Sequence, residues 1–269
     1  MSEVAPDLQQ IRRAEERVRV VGHRTPVVTC NALDQMAGRH LFFKCENLQK
    51  IGAFKIRGAA NFVLKLPEDE ARNGVVTHSS GNHGQAVSLA AGMRGIEAHI
   101  VMPSTSAAIK KRAVAGYGGQ IHECEPNEAS RDEVACRIVA ETGATFIPPY
   151  NHPDIIAGQG TAALELLEDL PDLDAVVAPC GGGGLLSGTS IASHGLDASI
   201  RVFGAEPKGA DDAARSLAAG ELIPQTGPQS IADGLLSSLG TLTFAVLREH
   251  VESMVTVSVE EIVAAMRMF

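Results

Sequence analysis

Residues 174–188, D-A-V-V-A-P-C-G-G-G-G-L-L-S-G, hold the reading on which the fold turns. An apolar run of strand type breaks after Pro179 and Cys180 into the four glycines Gly181, Gly182, Gly183 and Gly184, and Leu185-Leu186-Ser187 then opens a helical segment. Strand, bare turn, helix is the unit of an α/β protein, because parallel strands are joined through crossovers that are usually helices. Four glycines in a row are more than a tight turn needs. Glycine serves where backbone must come close to a ligand, and free N–H groups at a helix N-terminus suit a phosphate. A left-handed turn without a ligand is the plainer alternative.

Outward from this stretch the unit recurs. V-V-T-H (75–78) runs into S-S-G-N-H-G (79–84) and a helix through Gln85 to Met93. A-H-I-V-M-P (98–103) leads to a Ser/Thr-capped helix that closes at G-Y-G-G, and Q-I-H-E-C (120–124) to a helix over 128–141. T-F-I-P-P-Y (145–150) precedes a helix starting near Thr161, and R-V-F-G-A-E (201–206) one near 210–219. Upstream, residues 6–20 read as an amphipathic helix through Leu8, Ile11, Val18 and Val20, and Thr25-Pro26 opens an extended segment. The expectation is an α/β protein with doubly wound, mostly parallel sheets. Its 269 residues are long for a single core, so two lobes are expected. Pro148-Pro149 is the best hinge signal. Residues 68–150 are assigned to a small inserted lobe, and 1–67 with 151–269 to a large one.

Composition narrows the function. Lys plus Arg number 23 against 32 Asp plus Glu, a net charge of −9, and without a basic run this argues against nucleic acid or an anionic membrane as partner. No apolar run reaches transmembrane length and the first residues have no leader pattern, so the expected place is cytoplasmic. The five cysteines at 30, 45, 124, 136 and 180 form no C-x-x-C pair and suggest neither disulfides nor zinc.

Lys55 follows a Gly-Ala-Phe turn and precedes Ile56-Arg57-Gly58-Ala59. Apolar flanks favour partial desolvation, which lowers an ammonium pKa and frees the amine for Schiff-base chemistry; a solvated lysine at a helix start is the other reading. In Ser79-Ser80-Gly81-Asn82-His83-Gly84, hydroxyls and free N–H groups at a helix start could hold a carboxylate, and a serine there could move a proton. A dinucleotide site is the rival for the glycine run, with Glu206 in the place of a ribose-binding acid. The G-x-G-x-x-G spacing is not met, since the sixth position is Leu186 counted from Gly181 and Ser187 counted from Gly182. That weakens the rival without removing it.

Together, A-F-K-I-R-G-A, S-S-G-N-H-G-Q-A, A-G-Q-G-T (157–161) and G-G-G-G-L-L-S-G resemble, in order and spacing, the fold type II (tryptophan-synthase-β-like) pyridoxal-phosphate enzymes. The likeness is to their serine racemases and serine, threonine and 3-hydroxyaspartate dehydratases. It implies pyridoxal 5'-phosphate held by Lys55, with Phe54 and Asn82 flanking its ring and Gly181 to Gly184 with Leu185 on its phosphate. It implies a substrate carboxylate at Ser79, Ser80, Asn82 and His83, and Ser80 as the proton-carrying group opposite Lys55. It further implies a homodimer acting on a small amino acid, and Mg2+ or another divalent cation at Glu206, the Ala210 carbonyl and Asp212, for which a solvated acidic cap is the alternative. A nucleotide activator would match Lys50, Gln85 and Tyr117, whereas Cys30, Asn31, Ala32 and Ile51 weigh against it. The expected activity is elimination from a β-hydroxy amino acid, with serine racemisation as the alternative. A nucleotide-binding oxidoreductase or a non-catalytic ligand-binding protein is the rival from another class. Finally, V-T-V (255–257) and the capping-box pair Ser258 and Glu261 open a helix still apolar at Met266, Met268 and Phe269. The family carries a further strand and an S-G-G-N-type turn that nothing here matches, so the large lobe is expected to be C-terminally incomplete.

Overall fold

The computed structural model describes residues 4–79 and 81–268. In chain order come α1 (Leu8–Val21), β1 (Val27–Thr29), α2 (Asn31–Ala37), β2 (Phe42–Lys44), α3 (Lys55–Lys65) and α4 (Glu68–Ala71). Then follow β3 (Val75–His78), α5 (Asn82–Arg94), β4 (Ala98–Pro103), α6 (Ala108–Gly116), β5 (Gln120–Cys124), α7 (Glu128–Thr142) and β6 (Thr145–Phe146). The rest is α8 (Pro153–Asp169), β7 (Ala175–Pro179), α9 (Gly184–Leu196), β8 (Arg201–Pro207), α10 (Asp212–Ala219), α11 (Thr241–His250), β9 (Ser253–Val257) and α12 (Val259–Met266).

Two parallel sheets carry the architecture, one ordered β5-β4-β3-β6 and one β7-β8-β9, beside an antiparallel β1-β2 pair. Successive strand residues face opposite sides of a sheet. In the first sheet both sides are apolar: Val75 and Ile100 pack with α3 and α5, while Val76 and Val101 pack with Ala135 and Ile138 of α7. Helices therefore cover both faces, which is the doubly wound arrangement. The chain runs outward from β3 to β4 and β5, then returns to β6 on the other flank of β3. That reversal opens a crevice beyond the carboxyl ends of β3 and β6, where α/β sheets place their ligands.

Helix α8 packs against α1, α3 and α9. A Cβ on Gly158 would stand 2.6 Å from the Cα of Gly58, and one on Gly188 2.5 Å from the nitrogen of Gly160. These helices cross at backbone contact, which larger residues would forbid.

Arg57 of α3 is fully buried. Its Nε and Nη2 donate to the two carboxylate oxygens of Glu46 at 2.8 and 2.7 Å, and its Nη1 and Nη2 to those of Glu165 at 2.8 Å each. Lys44 adds a contact to Glu165 at 2.7 Å, and the Thr25 hydroxyl donates to Glu46 at 2.6 Å. Burial opposes the charge on Arg57, but the two carboxylates outweigh it and keep it ionised. Burial likewise pushes Glu165 up, and its bonds to Arg57 and Lys44 overcome this and hold it below the usual carboxylate range.

Several local expectations differ from the structure. Helix α8 starts at Pro153 rather than near Thr161, with His152 Nδ1 accepting the Asp154 N–H at 3.1 Å; a proline at the first helical position was the missed signal. Helix α6 has Ala107 at its N-cap and no side-chain cap. In α1 the buried stripe is Ile11, Ala14, Val18 and Val21, and Val20 is 71% exposed. Helices α2 and α11 were not anticipated. The Ser258–Glu261 capping box is formed as expected.

Removing one partner of a buried ion network strands the others, at a cost of about 3–5 kcal/mol. Arg57→Ala is therefore expected to lower stability by that amount in urea denaturation; a loss below about 1 kcal/mol would mean that the network behaves like a surface pair.

Candidate functional site

The turn before α3 is strained. Ile51 has φ 61° and Gly52 follows at φ 72°, and a β-branched residue in the left-handed region is an outlier that surrounding structure must impose. Gln49 supplies part of that restraint: its Oε1 accepts the N–H groups of His23 and Lys50 at 2.8 Å each, and its Nε2 donates to the His23 carbonyl at 2.6 Å. The turn delivers Phe54 as N-cap and Lys55 as the first residue of α3. Lys55 is half-buried, with its Nζ donating to the Pro149 carbonyl at 2.8 Å and 5.4 Å from the centroid of the Phe54 ring. Burial pulls its pKa from 10.5 down to about 8.

Across the crevice, the segment after β3 forms the start of α5. The Gly81 N–H donates to Ser79 Oγ at 3.2 Å, and Asn82 is exposed with no side-chain partner among the described residues. Ser80 lies outside the described residues. His83 is buried, with Nε2 3.3 Å from the Ile147 carbonyl and Nδ1 unpaired among the described residues. Burial first, and then the charge of Lys55, hold its pKa at about 3, so the ring is neutral at physiological pH. Because Nε2 must donate to the carbonyl, Nδ1 is an acceptor, and the ring offers a carboxylate no proton. What remains for an anion here is the Ser79 hydroxyl, the Asn82 amide and backbone N–H at the α5 start. Lys110 stands beside this segment, its Nζ 3.9 Å from where a Cβ on Gly81 would be, and pairs with Asp233.

The glycine run lies at the carboxyl end of β7, with Gly183 at φ 84° as N-cap of α9. Among the described residues the N–H groups of Gly181, Gly182 and Gly183 find no acceptor. A Cβ on Gly182 would stand 2.4 Å from the Tyr150 ring, one on Gly183 2.8 Å from Thr243 Cβ, and one on Gly181 3.0 Å from Leu235 Cα. The glycines are therefore demanded by packing on one side, which a reading from ligand approach alone does not supply, while their N–H groups remain free. Phe54 and Leu185, remote in sequence, line one cavity of about 300 Å³.

Glu206 and Asp212 are buried, which removes the solvated-cap alternative. Glu206 accepts the N–H groups of Ala213 and Ala214 at 3.2 and 2.9 Å, and Asp212 accepts that of Leu239 at 2.8 Å through Oδ2. Asp212 Oδ1 is buried and unpaired among the described residues. Burial, reinforced by the neighbouring Asp212, lifts the Glu206 pKa from 4.5 to about 7. Ala210 is buried on the turn between them. Lys50, Gln85 and Tyr117 are half-buried on the turn before α3, on α5 and after α6.

The sequence did not point to Pro149, Tyr150, Asn151 or Thr243, all of which touch the site. Pro148-Pro149 was visible only as a hinge signal.

With this geometry, the family described as pyridoxal-phosphate dependent enzyme matches residues 18–269. Serine racemase of Arabidopsis thaliana is 50% identical over 264 residues, covering 98% of this chain and 80% of that protein. The β-hydroxyaspartate dehydratase of Paracoccus denitrificans is 49% identical over 98% of this chain and 84% of that one. The solved maize serine racemase superposes with a TM-score of 0.97 at 48% identity, over 98% of this chain and 80% of the other. A lysine amine whose pKa burial lowers to about 8 and a glycine run with free N–H groups fit an aldehyde-bearing phosphate, not a dinucleotide, and the chain belongs to the pyridoxal-phosphate-dependent enzyme family.

Proposed function

We propose that this chain removes ammonia from a small β-hydroxy amino acid, L-serine, L-threonine or 3-hydroxyaspartate, giving a 2-oxo acid: the β-hydroxyl leaves as water, and one water is taken up again as the resulting imine hydrolyses to the oxo acid and ammonia. The observation that carries the reading is Lys55, an amine held near pKa 8 by burial at the crevice where a doubly wound sheet binds ligands. When bound, pyridoxal phosphate supplies an electron sink for negative charge at the substrate α-carbon. Lys55 Nζ would hold the aldehyde carbon and would accept the substrate α-proton. The N–H groups of Gly181 to Gly184 and Leu185 would hold the phosphate, and Phe54 and Asn82 would flank the ring. Ser79 and the first N–H groups of α5, at Asn82 and His83, take the substrate carboxylate. In the resembling enzymes the residue matching Ser80 moves a proton on the opposite face; if it does so here, serine is also racemised, a second reading favoured by the 50% identity to a serine racemase.

A divalent cation at Glu206, Asp212 and the Ala210 carbonyl would satisfy the orphaned Asp212 Oδ1 and offset the repulsion of two buried carboxylates. Among the described residues no helix is long and apolar enough to cross a membrane. A cytoplasmic location and a homodimer are parts of the proposal that rest on the family likeness. The division into a small lobe at 68–150 within a large one, and a nucleotide activator at Lys50, Gln85 and Tyr117, belong to the same proposal.

Three measurements test it. Competitive acylation of the cofactor-free chain, read by peptide mass spectrometry, should show Lys55 reactivity rising about fivefold from pH 7 to 8 and levelling above about pH 9, as the neutral fraction does for an amine of pKa about 8. Reactivity still climbing about tenfold between pH 8 and 9 would assign an ordinary amine. With cofactor and L-serine, L-threonine or 3-hydroxyaspartate, 2-oxo acid and ammonia should form. Lys55→Ala should abolish all turnover, and Ser80→Ala should remove D-serine formation while sparing elimination from L-serine. Magnesium or calcium should raise the melting temperature of the wild type and leave the Glu206→Gln, Asp212→Asn double variant unmoved; an equal rise in both would reject the cation site.

A further inference from the structure

If the glycine run holds the phosphate, something must hold the glycine run, whose residues have no side chains to lock them. Thr243, fully buried on α11, does so from the side opposite the free N–H groups. Its Oγ1 lies 2.9 Å from the Gly182 carbonyl and 3.1 Å from the Gly240 carbonyl, so its single proton is shared with the nearer contact to Gly182. The same oxygen accepts the Gly240 N–H at 2.9 Å. A trans peptide is planar, with its C=O and N–H pointing in opposite directions. Drawing the Gly182 carbonyl onto Thr243 therefore turns the Gly183 N–H away from α11, toward the open side of the run. Without that donor a buried carbonyl is unsatisfied, and a rotated peptide would present oxygen to an anion.

Thr243 is itself seated by Asn151, whose Oδ1 accepts the N–H groups of Leu242 at 2.9 Å and Thr243 at 3.3 Å. A Cβ on Gly240 would meet that same oxygen at 2.1 Å, so the approach is close. Asn151 belongs to a three-residue segment, Pro149 to Asn151, that touches three parts of the site. The Pro149 carbonyl accepts from Lys55 at 2.8 Å, and the Tyr150 ring fills the Cβ space of Gly182. One strap thus fixes the amine, the glycine run and the helix that orients the run.

We propose that Thr243, seated by Asn151, is a positioning residue that orients the Gly182–Gly183 peptide so that its N–H meets the cofactor phosphate. The inference rests on the pyridoxal-phosphate reading and adds a residue to it. The test separates the phosphate from the aldehyde. The cofactor-free full chain is titrated, by absorbance, with pyridoxal phosphate and with pyridoxal, which has the aldehyde and no phosphate. Thr243→Val keeps the shape and loses the hydroxyl; it is expected to weaken pyridoxal phosphate binding about tenfold, the scale of one lost bond supporting a charged contact, and pyridoxal binding less than about twofold. Thr243→Ser keeps the hydroxyl and should bind pyridoxal phosphate within about twofold of wild type. Asn151→Ala, which leaves Thr243 in place, should show the same selectivity at about threefold, and serves if Thr243→Val fails to fold. Equal losses for both aldehydes, or none for either, in whichever of these variants folds would overturn the inference while the function stands. A wild type that takes up no pyridoxal phosphate would overturn the function and this inference with it.

Discussion

A guanidinium with no access to water must have its charge and its five donors met by protein; Glu46 and Glu165 meet the charge and take four donors of Arg57, and the Thr161 hydroxyl takes the fifth. Paired forks of this kind fix planes and angles as well as distance. Lys44 of β2, the turn at Glu46, α3 through Arg57 and α8 through Glu165 are consequently held in one geometry. Replacing such a network with apolar side chains can leave stability unchanged or raise it, so its value here lies in specifying position. Lys55 is the first residue of the helix that Arg57 pins, and the strained turn at Ile51 and Gly52 feeds that helix from the other side.

With α3 fixed, the chemistry of the site follows from where strands end. The carboxyl ends of β3 and β6 meet at the reversal of strand order, so the α5 start and the segment from Ile147 to Asn151 face the lysine together. Main-chain carbonyls there are already committed: Ile147 to Thr77 and His83, Pro149 to Lys55. Burial and the charge of Lys55 keep His83 neutral against the pull of the Ile147 carbonyl, and the Pro149 carbonyl gives the amine a neutral partner in place of a carboxylate. A carboxylate beside Lys55 would stabilise its charged form and return the pKa toward the solution value. A carbonyl orients the amine while leaving burial free to lower it to about 8.

Much of this was legible in the sequence because its causes are local. Strands such as Val75–His78 and Ala98–Pro103 are apolar on both faces and bounded by turn residues, the mark of a covered parallel sheet. Lys55 between apolar neighbours and a glycine run after a strand are readable for the same reason. Arg57, Glu46 and Glu165 were not, since each is an ordinary charged residue until the fold buries them together. Asn151 and Thr243 were invisible likewise: an asparagine after Pro-Pro-Tyr reads as loop, and its role exists only because α11 begins beside it. Helix α8 was misplaced through a neglected local signal, Pro153 at its first position.

The glycine run shows why a motif can be recognised for an incomplete reason. The sequence alone accounts for its glycines by ligand approach, yet the space a Cβ would need at Gly181, Gly182 and Gly183 is taken by Leu235, Tyr150 and Thr243 of the protein itself. The two demands fall on different sides of the backbone. Packing excludes a side chain on one side, and an anion needs the unpaired N–H groups on the other. An alanine placed at Gly182 would collide with Tyr150 at 2.4 Å whether or not any ligand were bound. Weak cofactor binding in such a variant would therefore report a displaced Tyr150, and with it a displaced Pro149 carbonyl at Lys55, as readily as a damaged phosphate cradle. The run is thus both a wall of the core and a face of the site, and its backbone has no room for a side chain between the two.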